Sequence, residues 1–199
     1  MVSPQITVAV PAHPARVRNG MLDRALASVY KQTLLPATVS VAVDLERRGA
    51  ARTRQRALDA VKTPWTAFLD SDDWLWPEHL AKLSAFAEDT GADYVYSWFE
   101  TDPPAQDPFP TTHFTEPWDA ANPRQTTITV LVRTELAKAV GFVPQGQDST
   151  GADGMRAGED WIWTLGCNAQ GRIEHLPERT WTWSHHGLNS SGLPGRGDA

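Results

Sequence analysis

Trp65-Thr66-Ala67-Phe68-Leu69-Asp70-Ser71-Asp72-Asp73 is an apolar run that stops abruptly in three carboxylates. Pro64 precedes it and charge follows it, which marks Trp65–Leu69 as a short buried strand. Three acids within four residues repel one another. A solvated turn relieves that in part and a divalent cation relieves it fully, since hard oxygen ligands suit Mg²⁺ or Mn²⁺. The plainer alternative is an acidic turn capping the next helix, with Pro77 near its first turn. Placement at the carboxyl end of a core strand favours a ligand site.

Upstream, the same unit recurs. Ile6–Val10 and Val39–Val43 are short valine-rich strands. Leu22, Leu26, Val29 and Tyr30 form an apolar stripe on a helix ending before Pro36, and Ala50, Ala57, Leu58 and Val61 form a second. Strand–helix–strand–helix–strand predicts right-handed crossovers and a mainly parallel central sheet flanked by helices, an α/β fold. Pro11-Ala12-His13, Asp44 and Asp70-Ser71-Asp72 all fall at strand ends, where such sheets bind ligands.

Downstream, a helix is expected from about Pro77 to Asp89 and a strand around Tyr94–Phe99. Thr101 to Arg124 holds six prolines and reads as a long surface loop or lid. Thr126–Arg133 reads as a strand and Thr134–Val140 as a helix closed by Gly141. A glycine-rich loop, Gln145–Gly158, leads into a helix from Glu159-Asp160 to Gly171. Ile173–Leu176 and a Trp181-Thr182-Trp183 strand follow, then a tail from Gly192 expected to be disordered. The expected organisation is one domain over 1–191 and a tail over 192–199.

With 199 residues the chain suits one α/β core. No apolar stretch approaches a membrane span and the amino terminus lacks a signal-peptide pattern. One cysteine, Cys167, excludes a disulfide framework and a cysteine-based zinc site, so a cytoplasmic location is the expectation. Net charge is −6, but residues 1–60 carry +5 and the remainder −11. The net charge argues against a nonspecific nucleic-acid coat, and the asymmetry suits a site that holds an anionic ligand through a metal. Core packing explains most of the nine tryptophans, and some suit stacking on sugar or base rings.

Arg48, Arg52 and Arg56 share one solvated helix face. Arg54 falls on the stripe with Ala50, Ala57, Leu58 and Val61, and a buried guanidinium needs an anion, whether a diphosphate or a site carboxylate. Glu159-Asp160, between a glycine-rich loop and a helix, caps that helix and in addition suits a general base facing a cleft. Alternation places His185 on the tryptophan side of its strand and His186 opposite. Beside an aspartate cluster that wants a metal, one neutral imidazole fits as a further ligand.

From about Ile6 to Ser191 the chain resembles family 2 glycosyltransferases of the GT-A fold. Val8-Ala9-Val10-Pro11 is similar to that family's opening strand, and Ser28-Val29-Tyr30-Lys31-Gln32-Thr33 to its "S-v-x-x-Q-T" helix. Ala51-Arg52-Thr53-Arg54-Gln55-Arg56-Ala57-Leu58 resembles the "A-R-N-x-G-L" helix. Phe68–Asp73 resembles "F-L-D-x-D-D", Gly158-Glu159-Asp160 "G-E-D", and His186–Ser191 "H-x-x-N-x-S". The arginine usual in the helix after "G-E-D" is replaced by Trp163-Thr164-Leu165-Gly166, and the acids after the second strand run straight into arginines.

The resemblance implies an inverting hexosyl transfer from a nucleotide-diphosphate sugar. Pro11 and Asp44 would line the nucleobase pocket and Asp70 would contact the ribose, within a donor-binding set of Pro11, Ala12, Asp44, Arg54, Asp70 and Ser71. Asp72, with His186, would hold Mn²⁺ or Mg²⁺ against the diphosphate. Asp160 would be the base, with Glu159 contacting the acceptor. That acceptor is a hydroxyl on a saccharide, a metabolite, a protein or a modified nucleobase, met by Thr101–Arg124, Gln145–Gly158 and the tail or by a partner. The rival readings are a sugar nucleotidyltransferase and a non-catalytic sugar-nucleotide-binding accessory protein.

Overall fold

A computed structural model of the chain describes residues 5–104, 111–143 and 158–186. Ile6–Ala12 (β1) is buried at every position, as befits a parallel strand covered on both faces. Thr38–Val43 (β2) and Trp65–Phe68 (β3) flank it in parallel. Trp74–Leu75 (β4), Tyr94–Asp102 (β5), Val130–Arg133 (β6) and Ile173–Ser184 (β7) complete one sheet, ordered β2-β1-β3-β6-β5-β7-β4. β6 opposes both its neighbours and β4 opposes β7, so the other five strands run one way. The sheet is therefore mixed but mostly parallel.

The helices are Pro14–Arg18 (α1), Met21–Val29 (α2), Ala50–Asp59 (α3), His79–Thr90 (α4), Thr134–Val140 (α5) and Glu159–Gln170 (α6). Several expectations need correcting. Tyr30 is 65% exposed because α2 ends at Val29; Ala25 takes its place in the stripe with Leu22 and Val29. Ala51 rather than Ala50 faces inward from α3, with Arg54, Ala57 and Leu58. β6 begins only at Val130, and the two expected carboxyl-terminal strands are one, β7, whose pairing with β5 shifts register around Trp98. The expected tail over 192–199 and most of the loop Gln145–Gly158 lie outside the described residues.

Ser28 and Gln32 have a structural task. Gln32 is buried; its Nε2 donates to the carbonyls of Trp76 (2.7 Å) and Ser28 (3.2 Å), and its Oε1 accepts the Leu80 N–H (2.9 Å). Ser28 Oγ accepts the Leu75 N–H at 3.0 Å. Together they tie α2 to the segment that leaves the acidic turn. Gln32→Leu strands a buried donor and a buried acceptor, so urea melts should show a loss of roughly 2–4 kcal/mol.

His79 is fully buried on α4, its Nδ1 2.7 Å from Thr180 Oγ1, which lies 2.5 Å from Ser97 Oγ. Burial lowers its pKa from 6.5 to about 3, against an opposing hydrogen bond from Thr180. Between those values the unfolded chain binds a proton that the native chain does not. Stability therefore falls as pH drops through the window, by about 1.4 kcal/mol per pH unit. Half-buried Asp70 and buried Asp73 contribute with the opposite sign, but equally in a His79→Gln variant. Urea midpoints from pH 6 to 4 should thus decline less steeply in His79→Gln than in the parent.

Candidate active site

The sheet places three strand ends side by side, because β1 has β2 on one side and β3 on the other. β3 stops at Phe68, Leu69 still donates to the Ala9 carbonyl, and the acids then turn away. Asp73 does not cap α4, which starts six residues later after Glu78. It is buried, and its Oδ1 accepts the Ser184 N–H at 2.8 Å, fastening the turn to the end of β7. Arg24 reinforces that link. Its Nη2 donates to the Asp72 carbonyl (2.8 Å) and to Ser184 Oγ (3.1 Å), with the guanidinium 4.1 Å from the Trp74 ring centroid.

Arg54 is buried on α3, as its stripe position requires, and its anions are site carboxylates. Nη2 donates to both oxygens of Asp70 (2.9 and 3.0 Å), and Nη1 pairs with Glu159. Burial by itself lowers the arginine's pKa, yet Asp70, Asp160 and Glu159 outweigh it and raise the net value. Burial also raises Asp70, with Arg54 opposing and Asp72 adding. Asp73 is pushed well above the usual carboxylate range by burial and then by Asp72 and Asp70. Burial is thus the main cause for both acids, and the three carboxylates of the turn meet three arginines, Arg16, Arg24 and Arg54.

Asp72 Oδ2 lies 2.9 Å from His186 Nε2 and 3.1 Å from both Nε and Nη2 of Arg16. The pair Asp72–His186 fits a small divalent cation. The fit is one of donor type, a carboxylate oxygen beside an imidazole nitrogen, now joined by the hydrogen bond between them. Among the described residues no group of three or more His, Cys, Asp or Glu side chains forms a complete metal site. A cation here would need the remaining ligands from phosphate oxygens and water, which is the usual habit of Mg²⁺.

A cleft of about 550 Å³ opens over these strand ends, lined by Pro11, Ala12, His13, Ala15, Arg16, Asp44, Gly49, Ala50, Thr53, Arg54, Asp70, Ser71 and Asp72. It brings together all six residues of the expected donor set and Asp72. Asp44 is buried, and its two oxygens accept the N–H groups of Arg48 (2.8 Å) and Gly49 (2.9 Å). It therefore also braces the β2–α3 turn, where Gly49 takes φ 86°, a value that favours glycine. Arg48 and Arg52 are exposed, as expected, and no tryptophan lines the cleft.

Glu159, Asp160 and His186 do not line the cleft but join it through Arg54 and Asp72. Trp163 sets the position of α6. It is fully buried, 5.4 Å from Phe68 by ring centroids and stacked on Phe142 at 4.8 Å. Gly166 permits the close approach of α5, since a Cβ there would sit 2.4 Å from Val140 Cγ1. Gly158 leaves room for Asp160 to fold back: a Cβ would sit 2.5 Å from Asp160 Oδ1, which accepts the Trp161 N–H at 2.8 Å. His185 packs edge-on against Trp183, on the tryptophan side of the strand.

Sequence reasoning missed Arg16, Arg24 and the bridge from Asp73 to Ser184. A signal existed for Arg16: His13-Pro14 starts α1 with a side-chain cap and proline in the first turn, a recognised pattern. Arg24 had none, because nothing local shows that an exposed helix arginine meets a turn 48 residues away. Of the proline-rich stretch, β5 continues to Asp102 and Thr111–Phe114 forms a 3-10 turn. Trp118 Nε1 donates to Asn168 on α6 at 2.8 Å, which fixes part of that stretch to α6.

Residues 39–141 match the model of the family described as "Glycosyl transferase family 2". No curated protein matches the chain. Among solved structures, Staphylococcus aureus TarS 1–349 in complex with UDP shares 19% identity and a TM-score of 0.71 over 91% of this chain and 60% of that one. TarS 1–349 in complex with UDP-GlcNAc shares 20% identity and a TM-score of 0.72, over 92% and 59%. The chain thus spans about three fifths of the TarS 1–349 chain, with which it shares the GT-A fold. The family match covers β2, the Arg54 helix and the acidic turn, and on it the chain is a member of glycosyl transferase family 2.

Proposed function

We propose that the chain transfers a hexose from a nucleoside-diphosphate sugar, a UDP-sugar in the first instance, to a hydroxyl acceptor with inversion at the anomeric carbon. The observation that carries this reading is the convergence of Asp70, Asp72, Arg54 and Glu159 at the strand ends of a family 2 domain. TarS binds UDP and UDP-GlcNAc in the structures that share this fold. Pro11 and Asp44 border the nucleobase, Ala12 and Ser71 the ribose and phosphates, and Asp70 the ribose hydroxyls.

Asp72 and His186 would hold Mn²⁺ or Mg²⁺, which supplies charge neutralisation for the departing diphosphate. Arg54, whose Nε is buried and has no hydrogen-bond partner among the described residues, orients Asp70 and Glu159 from beneath. Asp160 takes the proton of the acceptor hydroxyl as its oxygen bonds to the anomeric carbon, and the bond to the diphosphate oxygen breaks. Glu159, held by Arg54, keeps the start of α6 against the cleft and faces the acceptor side. No described helix is long and apolar enough to cross a membrane. One buried cysteine, its thiol pushed up to about 12 by burial, fits the cytoplasmic setting proposed for the chain.

Phosphorus NMR of a UDP-sugar incubated with the protein, Mn²⁺ and candidate acceptors tests the reaction class. Free UDP should accumulate only when an acceptor is present. UTP and sugar 1-phosphate formed from the UDP-sugar on addition of pyrophosphate would instead mark a nucleotidyltransferase, and binding of the donor with no product across all acceptor classes would mark an accessory binder.

A further inference from the structure

Asp72 Oδ2 is already fully engaged. A carboxylate oxygen offers about two lone-pair positions, and Arg16 and His186 fill them. The side chains of Arg16, Asp72 and His186 are 11%, 17% and 14% exposed, so the contact is largely shielded from water. A cation held by that oxygen and by His186 Nε2 takes the place of the hydrogen bond His186 donates to it. The Arg16 guanidinium, 3.1 Å from the same oxygen, has no lone pair to offer a cation and repels one at this range. Arg16 is the partner that must leave.

The fold makes that departure easy. α1 has five residues, none of them buried. Elements with few buried contacts move at low cost. Arg16 also lines the cleft between His13 and the acidic turn, where the anion to enter is a diphosphate. We propose that Arg16 guards the Asp72 carboxylate in the empty cleft and passes to the diphosphate when donor and cation enter, so that each makes the other bind more tightly. The inference rests on Asp72 and His186 being the cation's ligands.

Calorimetric titration of Mn²⁺ alone, UDP alone and both together, on the parent, Arg16→Gln, Arg16→Lys and Asp72→Asn, tests it without turnover. The parent should bind Mn²⁺ alone weakly and at least about tenfold more tightly with UDP present, the scale of one charge-assisted contact. Arg16→Gln should bind Mn²⁺ alone about tenfold more tightly than the parent and lose most of the coupling to UDP. Arg16→Lys, which keeps the charge but not the two-pronged contact, should fall between; it gives the same reading if Arg16→Gln misfolds. Unchanged Mn²⁺ affinity and coupling in both Arg16 variants would overturn the guard role. Mn²⁺ uptake with UDP that survives in Asp72→Asn would overturn the ligand assignment itself.

Discussion

Asp160→Asn should lower the rate of sugar transfer by about 10²–10⁴-fold, the usual contribution of a positioned general base. The change should fall on kcat, with UDP affinity intact, because Asp160 lies outside the donor cleft. Structure should survive as well. The hydrogen bond from the Trp161 N–H to Asp160 Oδ1 can be kept by the asparagine carbonyl, and Glu159 still holds the α6 start to Arg54. An equal fall in melting temperature and activity would mean a structural role. Loss of the alkaline-rising limb of the rate profile in the variant would tie the loss to a proton acceptor.

Arg54→Met should cost about 3–5 kcal/mol of stability, the range for removing one partner of a buried ion pair. Its side chain is 8% exposed and joins Asp70 to Glu159, so the variant leaves two shielded carboxylates facing each other, with Asp160 nearby. Protonation relieves those carboxylates, so the deficit in urea melts should narrow as pH falls from 7 towards 4. Arg54→Lys should recover only part of the loss, because one ammonium cannot hold both Asp70 oxygens and Glu159 in the same geometry.

Much of the fold was legible because each early strand and helix carries its own period. Arg54 was assigned to the packed face from spacing alone, and its burial against Asp70 and Glu159 follows from that placement. Gly158-Glu159-Asp160 read correctly as a helix start. What escaped the sequence are contacts whose partners are distant in the chain. Asp73 looks like a helix cap until β7 supplies the Ser184 N–H, 111 residues later. Two-residue β4 has no periodicity to detect and exists only because β7 pairs with it. Trp98 shows why one strand read as two, since the register shift interrupts the pattern without ending the pairing. Nor does the sequence show that Asp44 has a second task, since both its oxygens accept turn N–H groups once the β2–α3 turn forms.

Calorimetric titration of UDP in the presence of Mn²⁺, with Asp72→Asn as the comparison, tests most directly whether the strand-end acids and Arg54 form the donor half of a nucleotide-sugar site. One UDP should bind per chain, more weakly when Mn²⁺ is withheld and at least about tenfold more weakly in Asp72→Asn. A parent protein that binds no UDP, or an Asp72→Asn variant that binds it as tightly, would contradict the account.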